Sequence, residues 1–223
     1  MFKTADELVD SLLAGNKRYA NKEKYEQQRR ATESAQHPQV IVLGCSDSRV
    51  PVSVIMDDCR LGSIFEIRTA GNAVDAADVE SIFYAIKHVK PKPLLLIVLS
   101  HTRCGAIVAT YDGLTDPKQR QIVSEYTTIV RNIAPSIEHV VAEVGKEEKQ
   151  NNTKLTRACI LERCVVHNSK RRAQELHLLI GGEVTVMSMV YNVETGIVSV
   201  CGTYPATSHS SESIRSTSIS RTL

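Results

Sequence analysis

Five side chains of this sequence have types and spacings that suit metal chemistry. They are Cys45, Asp47, Arg49, His101 and Cys104. The first three lie in the segment CSDSR and the last two in SHTRCG, and each segment follows a short apolar run. Two thiolates, an imidazole and a carboxylate form a ligand set that zinc accepts in tetrahedral geometry. A lone cysteine after a strand is usually just a small buried residue, but the two segments together favour a zinc site.

The spacing within each segment allows its side chains to converge. Cys45 and Asp47 are two residues apart, so in extended chain they point the same way. His101 and Cys104 are three apart, so they can share a face across a turn or in a first helical turn. If the two apolar runs are neighbouring parallel strands, all four groups meet beyond the carboxyl ends, where the strand order reverses.

The strands that must position these residues follow from hydrophobic runs rich in β-branched residues. We predict strands at Val40–Gly44, Ile64–Arg68 and Leu94–Leu99. The segment 183–200 is typical of two more strands around a turn at Glu194–Gly196.

Helical patterns surround and separate these strands. A capping box at Thr4–Glu7 predicts an extended N-terminal helix with an apolar face that includes Leu8, Leu12 and Leu13. Further helices are predicted within 75–89, through 122–144 and through 155–179, where Gly181–Gly182 ends the pattern. The alternation predicts an α/β fold: a single domain with a mostly parallel β-sheet, flanking helices and an antiparallel edge strand.

Composition limits the classes of function. The chain has 223 residues, so we expect one domain. A formal net charge of +2 argues neither for nor against nucleic acid, but no basic stripe stands out, and we expect no nucleic acid partner. No apolar run has the length of a membrane span and no targeting segment is recognised, so we expect a cytoplasmic protein with no membrane partner. Six cysteines in this context favour metal binding or catalysis over disulfides. Four of them match no ligand position: Cys59, Cys159, Cys164 and Cys201.

The segments CSDSR, RTAGN and SHTRCG together resemble the β class of carbonic anhydrases, and the resemblance extends over residues 4–201. It implies a carbonate dehydratase, a lyase, that hydrates carbon dioxide reversibly to bicarbonate and a proton by attack of zinc-bound hydroxide. It implies one zinc per chain, bound by Cys45, His101 and Cys104. It also implies a homodimer or a dimer of dimers with the sites at subunit interfaces. We expect the catalytic domain to cover 1–205 and a disordered tail rich in serine and threonine to cover 206–223.

The resemblance gives Asp47 and Arg49 catalytic roles in one of two arrangements. In a closed state Asp47 is the fourth metal ligand; in an open state Arg49 clamps the carboxylate, which then orients the hydroxide. Some members close when bicarbonate binds a pocket made by a tryptophan, a glycine and an arginine. This chain has Gly44 and Arg68 but Val42 at the tryptophan position, and it has no tryptophan. We therefore expect the open state, with Arg68 ion-paired or hydrogen-bonded within its loop.

Four further residues are expected to bind substrate because they match residues of the class. Gln36, nine residues before Cys45, matches a glutamine that hydrogen-bonds the substrate in members with an open site. Gly105 lies beside the site, and Phe65 and Tyr84 match aromatic residues that line the pocket of a neighbouring subunit. Core packing is the alternative role of both aromatic residues.

Three other functions fit parts of the pattern. A hydrolase of carbon disulfide or carbonyl sulfide on the same scaffold would have identical zinc ligands. A non-catalytic zinc-binding or sensor protein would not need Asp47 and Arg49. A cysteine-nucleophile enzyme would need an activating base beside a free thiolate, whereas the H-x-x-C spacing makes metal the better use of the histidine.

Overall fold

A five-stranded sheet forms the centre of the chain in the computed structural model, which describes residues 4–207. The strands are β1 Val40–Gly44, β2 Ile64–Arg68, β3 Leu95–His101, β4 Thr185–Tyr191 and β5 Val198–Tyr204. They lie in the order β2-β1-β3-β4-β5, and only β5, at one edge, is antiparallel to its neighbour. The predicted single α/β domain with a mostly parallel sheet and an antiparallel edge strand is confirmed.

Eight α-helices lie within residues 4–207. They are α1 Ala5–Ala20, α2 Glu23–Thr32, α3 Val52–Ile55, α4 Ala76–His88, α5 Gly105–Thr115, α6 Gln121–Glu125, α7 Thr127–Asn151 and α8 Arg157–Leu179. Short 3₁₀ turns occur at Ala70–Asn72 and Pro117–Gln119. None of the described helices is long and apolar enough to cross a membrane.

The N-terminal segment is helical, as expected, and is divided into two helices. The capping box forms as predicted, with the Glu7 N–H donating to Thr4 Oγ1 at 3.1 Å. The helix then ends at Asn21, and α2 starts two residues later at Glu23. Asparagine favours such ends because its side chain competes with the helical backbone for hydrogen bonds. No residue of α1 is buried.

Two boundaries differ from prediction. The helix expected over 122–144 is divided into α6 and α7 at Tyr126, whose φ of −121° and ψ of 51° are not helical. β3 extends beyond Leu99, because Ser100 and His101 pair with β4 in register. His101 is therefore the last residue of a central strand, which fixes its backbone more firmly than a loop would.

The expected tail at 206–223 lies outside the described residues from position 208 onward, so its disorder stays a prediction. Its first two residues are described: the Ala206 N–H donates to Thr185 Oγ1, and the Thr207 N–H donates to Gly182 O.

The sheet has two apolar faces because successive residues of a strand point to opposite sides. Ile41 and Leu43 of β1 are buried against side chains of α4 and α8. Val42 points to the other face, where it packs with Val50 and Val52. These contacts make β1 and β3 the most deeply buried strands, so the residues at their carboxyl ends stand on a rigid base.

Candidate metal centre

Three predicted ligands come together at the carboxyl ends of β1 and β3. These two strands are parallel neighbours, with Gly44 opposite Leu99. The strand order reverses between them, because the chain places β2 on one side of β1 and β3 on the other. Cys45 follows β1 directly, His101 ends β3, and Cys104 occupies the N-cap position of α5.

The ligand atoms of Cys45, His101 and Cys104 all lie within 4.8 Å of one another, and all three residues are buried. The two sulfur atoms are 3.9 Å apart, and both cysteines are free. Two thiolates at about 2.3 Å from one tetrahedral zinc ion would be about 3.8 Å apart. The observed sulfur separation therefore fits a shared metal ion.

The orientation of the His101 ring leaves one nitrogen ready to act as a ligand. Nδ1 lies 3.0 Å from Thr102 O, which can only accept, so Nδ1 carries the proton and donates. Nε2 then holds a lone pair, and it is buried without a hydrogen-bond partner among the described atoms. An unsatisfied buried polar group costs roughly 1–3 kcal/mol. A metal ion at this position would satisfy Nε2, and the donor set of two sulfurs and one imidazole suits zinc.

The two thiols are electrostatically different. The hydrogen bond from Cys104 is the main reason that the pKa of Cys45 is lowered, and the Gly71 N–H donates to the same sulfur at 3.3 Å. The pKa of Cys104 is raised by that bond to Cys45 and by burial, although the N–H groups of Ala106 and Ile107 in the first turn of α5 oppose the shift. A cation at the site would favour ionisation of both thiols.

Arg49 holds the Asp47 carboxylate at the edge of this group. Its backbone N–H and Nε donate to Oδ1, both at 2.9 Å, and its Nη2 donates to Oδ2 at 2.7 Å. These bonds hold the pKa of Asp47 well below its usual range. Oδ2 lies 3.8 Å from His101 Nε2. Nitrogen and oxygen ligands of one tetrahedral zinc would be about 3.3 Å apart, so the carboxylate lies close to ligand distance but outside it.

Arg68 fixes the backbone that carries Cys45 and Asp47. Its Nε and Nη2 donate to Cys45 O at 3.1 and 3.0 Å, and Nη2 also donates to Asp47 O at 2.8 Å. The sequence led us to expect that Arg68 would bond within its own loop. Instead, its guanidinium group bonds to the segment that follows β1.

Asn72 joins the ends of the two central strands. This buried side chain donates from Nδ2 to Leu43 O at 3.1 Å and to Leu99 O at 3.0 Å. The backbone of Asn72 has a φ of 57°, a left-handed conformation that asparagine tolerates better than most residues. The RTAGN loop therefore ties β1 to β3 beside the candidate metal centre.

The four predicted substrate-binding residues occupy different places. Gly105 directly follows Cys104, is exposed, and has open space where a side chain would lie. Gln36 is exposed and precedes β1, so the whole strand separates it from the metal centre. Phe65 lies on β2, where it is paired with Ile41 of β1, a residue four positions before Cys45. Tyr84 lies exposed on α4. Within one chain, only Gly105 of the four lies next to the ligands.

Sequence reasoning missed two buried polar residues near the centre, Ser136 on α7 and Asn168 on α8. The sequence feature that could have identified them is a polar residue at a core-facing position of each helical pattern. Ser136 lies beside the buried Ile137, and Asn168 lies three and four residues after Val165 and Cys164.

Comparison with known proteins places this site in a family. A family model described as carbonic anhydrase matches residues 40–198, which include all three predicted ligands. The carbonic anhydrase of Mycolicibacterium smegmatis is 38% identical over 112 residues, which are 50% of this chain and 52% of that protein. This chain therefore matches only about half the length of that relative.

Two solved structures share the fold. The β-carbonic anhydrase of the fungal pathogen Aspergillus fumigatus superposes with a TM-score of 0.67 at 22% identity, covering 86% of this chain and 89% of that one. A tetrameric β-carbonic anhydrase of the ascomycete Sordaria macrospora gives 0.62 at 18% identity, covering 88% and 95%. Since the family match covers well over half of the sequence, the chain belongs to the β class of carbonic anhydrases.

Proposed function

We propose that this chain hydrates carbon dioxide reversibly to bicarbonate and a proton, with one zinc ion held by Cys45, His101 and Cys104. The observation that carries the proposal is the buried Nε2 of His101, which has no hydrogen-bond partner among the described residues and belongs to a group of ligand atoms, with two free thiols, that all lie within 4.8 Å of one another. When bound, zinc would lower the pKa of a coordinated water and so make hydroxide available near neutral pH.

In this proposal Asp47 orients the nucleophile. An ionised carboxylate only accepts hydrogen bonds, so Asp47 can accept one from the nucleophile and turn its lone pair toward the substrate carbon. Arg49 keeps the carboxylate ionised and 3.8 Å from His101 Nε2, an arrangement that supports the open state. Gly105 leaves space beside Cys104 through which a small substrate can approach.

We further propose that the active assembly is a homodimer or a dimer of dimers. Leu12 and Leu13 of α1 are 64% and 56% exposed, and they form an apolar face that no part of the described chain covers. A second copy that covered this face would remove apolar surface from water. It could also bring Gln36, Phe65 or Tyr84 to the site of its neighbour, which they do not reach in their own chain. The tetrameric relative from Sordaria supports such an assembly. The cytoplasmic location stays a prediction of the sequence.

Zinc content and carbon dioxide hydration, measured together, test the proposal. The wild-type chain should hold about one zinc per chain and should lose activity with a strong chelator. Cys104→Ser should lose most of both. Cys164→Ser is the matched control, because Cys164 is equally buried in the same core cluster and burial raises its pKa to about 11, so it stays a neutral thiol.

Full zinc in Cys104→Ser, or loss of zinc in Cys164→Ser alone, would contradict the ligand assignment. Hydrolysis of carbonyl sulfide and of carbon disulfide should be measured with the same preparation. Faster turnover of either compound than of carbon dioxide would replace the proposed substrate.

A further inference from the structure

A buried chain of hydrogen bonds connects α8 to the metal centre. Arg171 Nε donates to Ser136 Oγ at 2.9 Å, and Ser136 Oγ lies 3.3 Å from Asn168 Oδ1. Asn168 Nδ2 donates to Gly71 O at 3.2 Å. The Gly71 N–H in turn donates to Cys45 Sγ at 3.3 Å. This series of hydrogen bonds therefore begins on α8, passes through Ser136 on α7 and Asn168 on α8, and ends on a predicted metal ligand.

Arg171 determines the direction of the side-chain hydrogen bonds in this series. A guanidinium group only donates, so the Ser136 oxygen accepts from it and the hydroxyl proton is left for Asn168 Oδ1. With Oδ1 accepting, the amide group of Asn168 turns its Nδ2 toward the Gly71 carbonyl. Arg171 is itself held, because its other N–H groups bond to Asn132 O and to Glu175.

Gly71 has no side chain that could hold its backbone in place, so the hydrogen bond from Asn168 restrains it. Its φ of +66° lies in the left-handed region, and an added Cβ would lie 2.6 Å from Ile133 Cδ1 and 2.9 Å from Ala106 Cβ. A glycine is therefore required here. The N–H and the carbonyl of Gly71 flank one flexible α-carbon, so the bond from Asn168 to the carbonyl restrains the direction of the N–H toward Cys45 together with the backbone bonds of the turn.

The burial of these polar residues points to the same role. Ser136 is 0% and Asn168 2% exposed, beside a cluster of buried apolar residues and cysteines that includes Cys45. Buried polar groups are costly unless every partner is satisfied, and here their bonds lead to the loop that contacts Cys45.

We infer that Ser136 and Asn168 are positioning residues for the Cys45 ligand, and that they act through Gly71. A hydrogen bond from Gly71 N–H to the sulfur fixes the direction of its lone pairs and draws electron density from it. Loss of either side chain would release the Gly71 loop and weaken that bond. The inference depends on the metal site of the proposed function, but it does not depend on the hydration reaction.

Metal binding by Ser136→Ala tests this role. Ser169→Ala is the matched control: Ser169 is also 0% exposed, and its hydroxyl bonds to Val98 O and Met189 O at 3.2 Å, outside the chain described above. Zinc affinity is measured by competition with a chelator. The sulfur-to-metal charge-transfer band is recorded after cobalt(II) replaces zinc.

We expect Ser136→Ala to bind zinc about 10–100-fold more weakly, the usual effect of losing an outer partner of a ligand. Its cobalt charge-transfer band should move to longer wavelength, because a sulfur with a weaker hydrogen bond gives up its electrons more easily. Ser169→Ala should keep the wild-type affinity and spectrum even where it loses comparable stability. Asn168→Leu should change both in the same direction as Ser136→Ala; if it does not fold, Ser136→Ala decides alone.

Wild-type affinity and an unshifted band in Ser136→Ala would overturn the inference, as would equal changes in Ser169→Ala. A wild-type chain that binds neither zinc nor cobalt would overturn the metal site itself, and with it this role. A chain that binds both metals but does not hydrate carbon dioxide would leave the positioning role intact and reject the proposed reaction.

Discussion

Replacing Arg49 by alanine should abolish most of the hydration rate while leaving the metal bound. Arg49 is not one of the three clustered ligands, and its side chain supplies two of the three N–H bonds that hold Asp47. After the substitution, only the backbone N–H bond to Oδ1 remains. The carboxylate can then rotate, and Oδ2 needs to move only about 0.5 Å closer to His101 Nε2 to reach the ligand spacing of about 3.3 Å.

The size of the effect follows from what the carboxylate would lose. Asp47 would no longer be held where it can orient the nucleophile, and it would compete for the fourth metal position. Loss of one oriented hydrogen bond at a reacting oxygen typically costs about 10²–10³-fold in turnover. We therefore expect a fall of about this size in kcat for Arg49→Ala, with zinc content close to that of the wild type.

The chain provides a matched control for this substitution. Arg60 holds Asp58 by the same three bonds: its backbone N–H and Nε donate to Oδ1 and its Nη2 donates to Oδ2. Arg60→Ala removes the same kind of clamp away from the metal centre. Stopped-flow hydration assays and zinc analysis of both variants should find the loss of rate only in Arg49→Ala. Turnover within about threefold of wild type in Arg49→Ala, or an equal loss in Arg60→Ala, would refute the reasoning.

Three other predictions concern stability, assembly and regulation. Asn72→Leu leaves the carbonyls of Leu43 and Leu99 without their buried donor, so the free energy of unfolding in urea should fall by roughly 2–4 kcal/mol; a loss below about 0.5 kcal/mol would contradict the clamp. Leu12→Glu combined with Leu13→Glu should shift sedimentation toward a monomer of lower activity, and an unchanged oligomer would exclude this face from the interface. Hydration should fall hyperbolically with added bicarbonate because the open state has no cooperative closure, and sigmoidal inhibition would speak against that state.

The central strands and the three clustered cysteine and histidine residues could be predicted because their signals are local. An apolar run of β-branched residues predicts a buried strand wherever it occurs, and parallel strands bring their carboxyl ends to one edge. Cys45 and His101 each follow or end such a run, so only the adjacency of β1 and β3 had to be assumed. That adjacency is present, with Gly44 opposite Leu99.

The residues that hold the site in place could not be predicted in this way. Asn168 forms a hydrogen bond with Gly71, which is 97 positions away in the sequence, and Asn72 forms one with Leu99, which is 27 positions away. No local pattern encodes such a pair, because its geometry exists only after the helices have packed on the sheet. The division of α6 from α7 at Tyr126 has a similar origin, since propensity alone continues the helix across this position.

The Asp47–Arg49 and Asp58–Arg60 pairs show which part of the site the local sequence specifies and which part depends on the fold. In both, an arginine two residues after an aspartate donates three N–H bonds to it and lowers the pKa of its carboxyl group. A search for Asp-x-Arg would find both with equal weight. Asp58 lies in the loop before the amino end of the edge strand β2, away from the metal-type ligands. Asp47 follows β1 at the point where the strand order reverses, 3.8 Å from a buried imidazole nitrogen that has no hydrogen-bond partner among the described residues. The local sequence is sufficient to form either ion pair. The position of Asp47 in the sheet is what allows this pair, and not the other, to orient a reacting group.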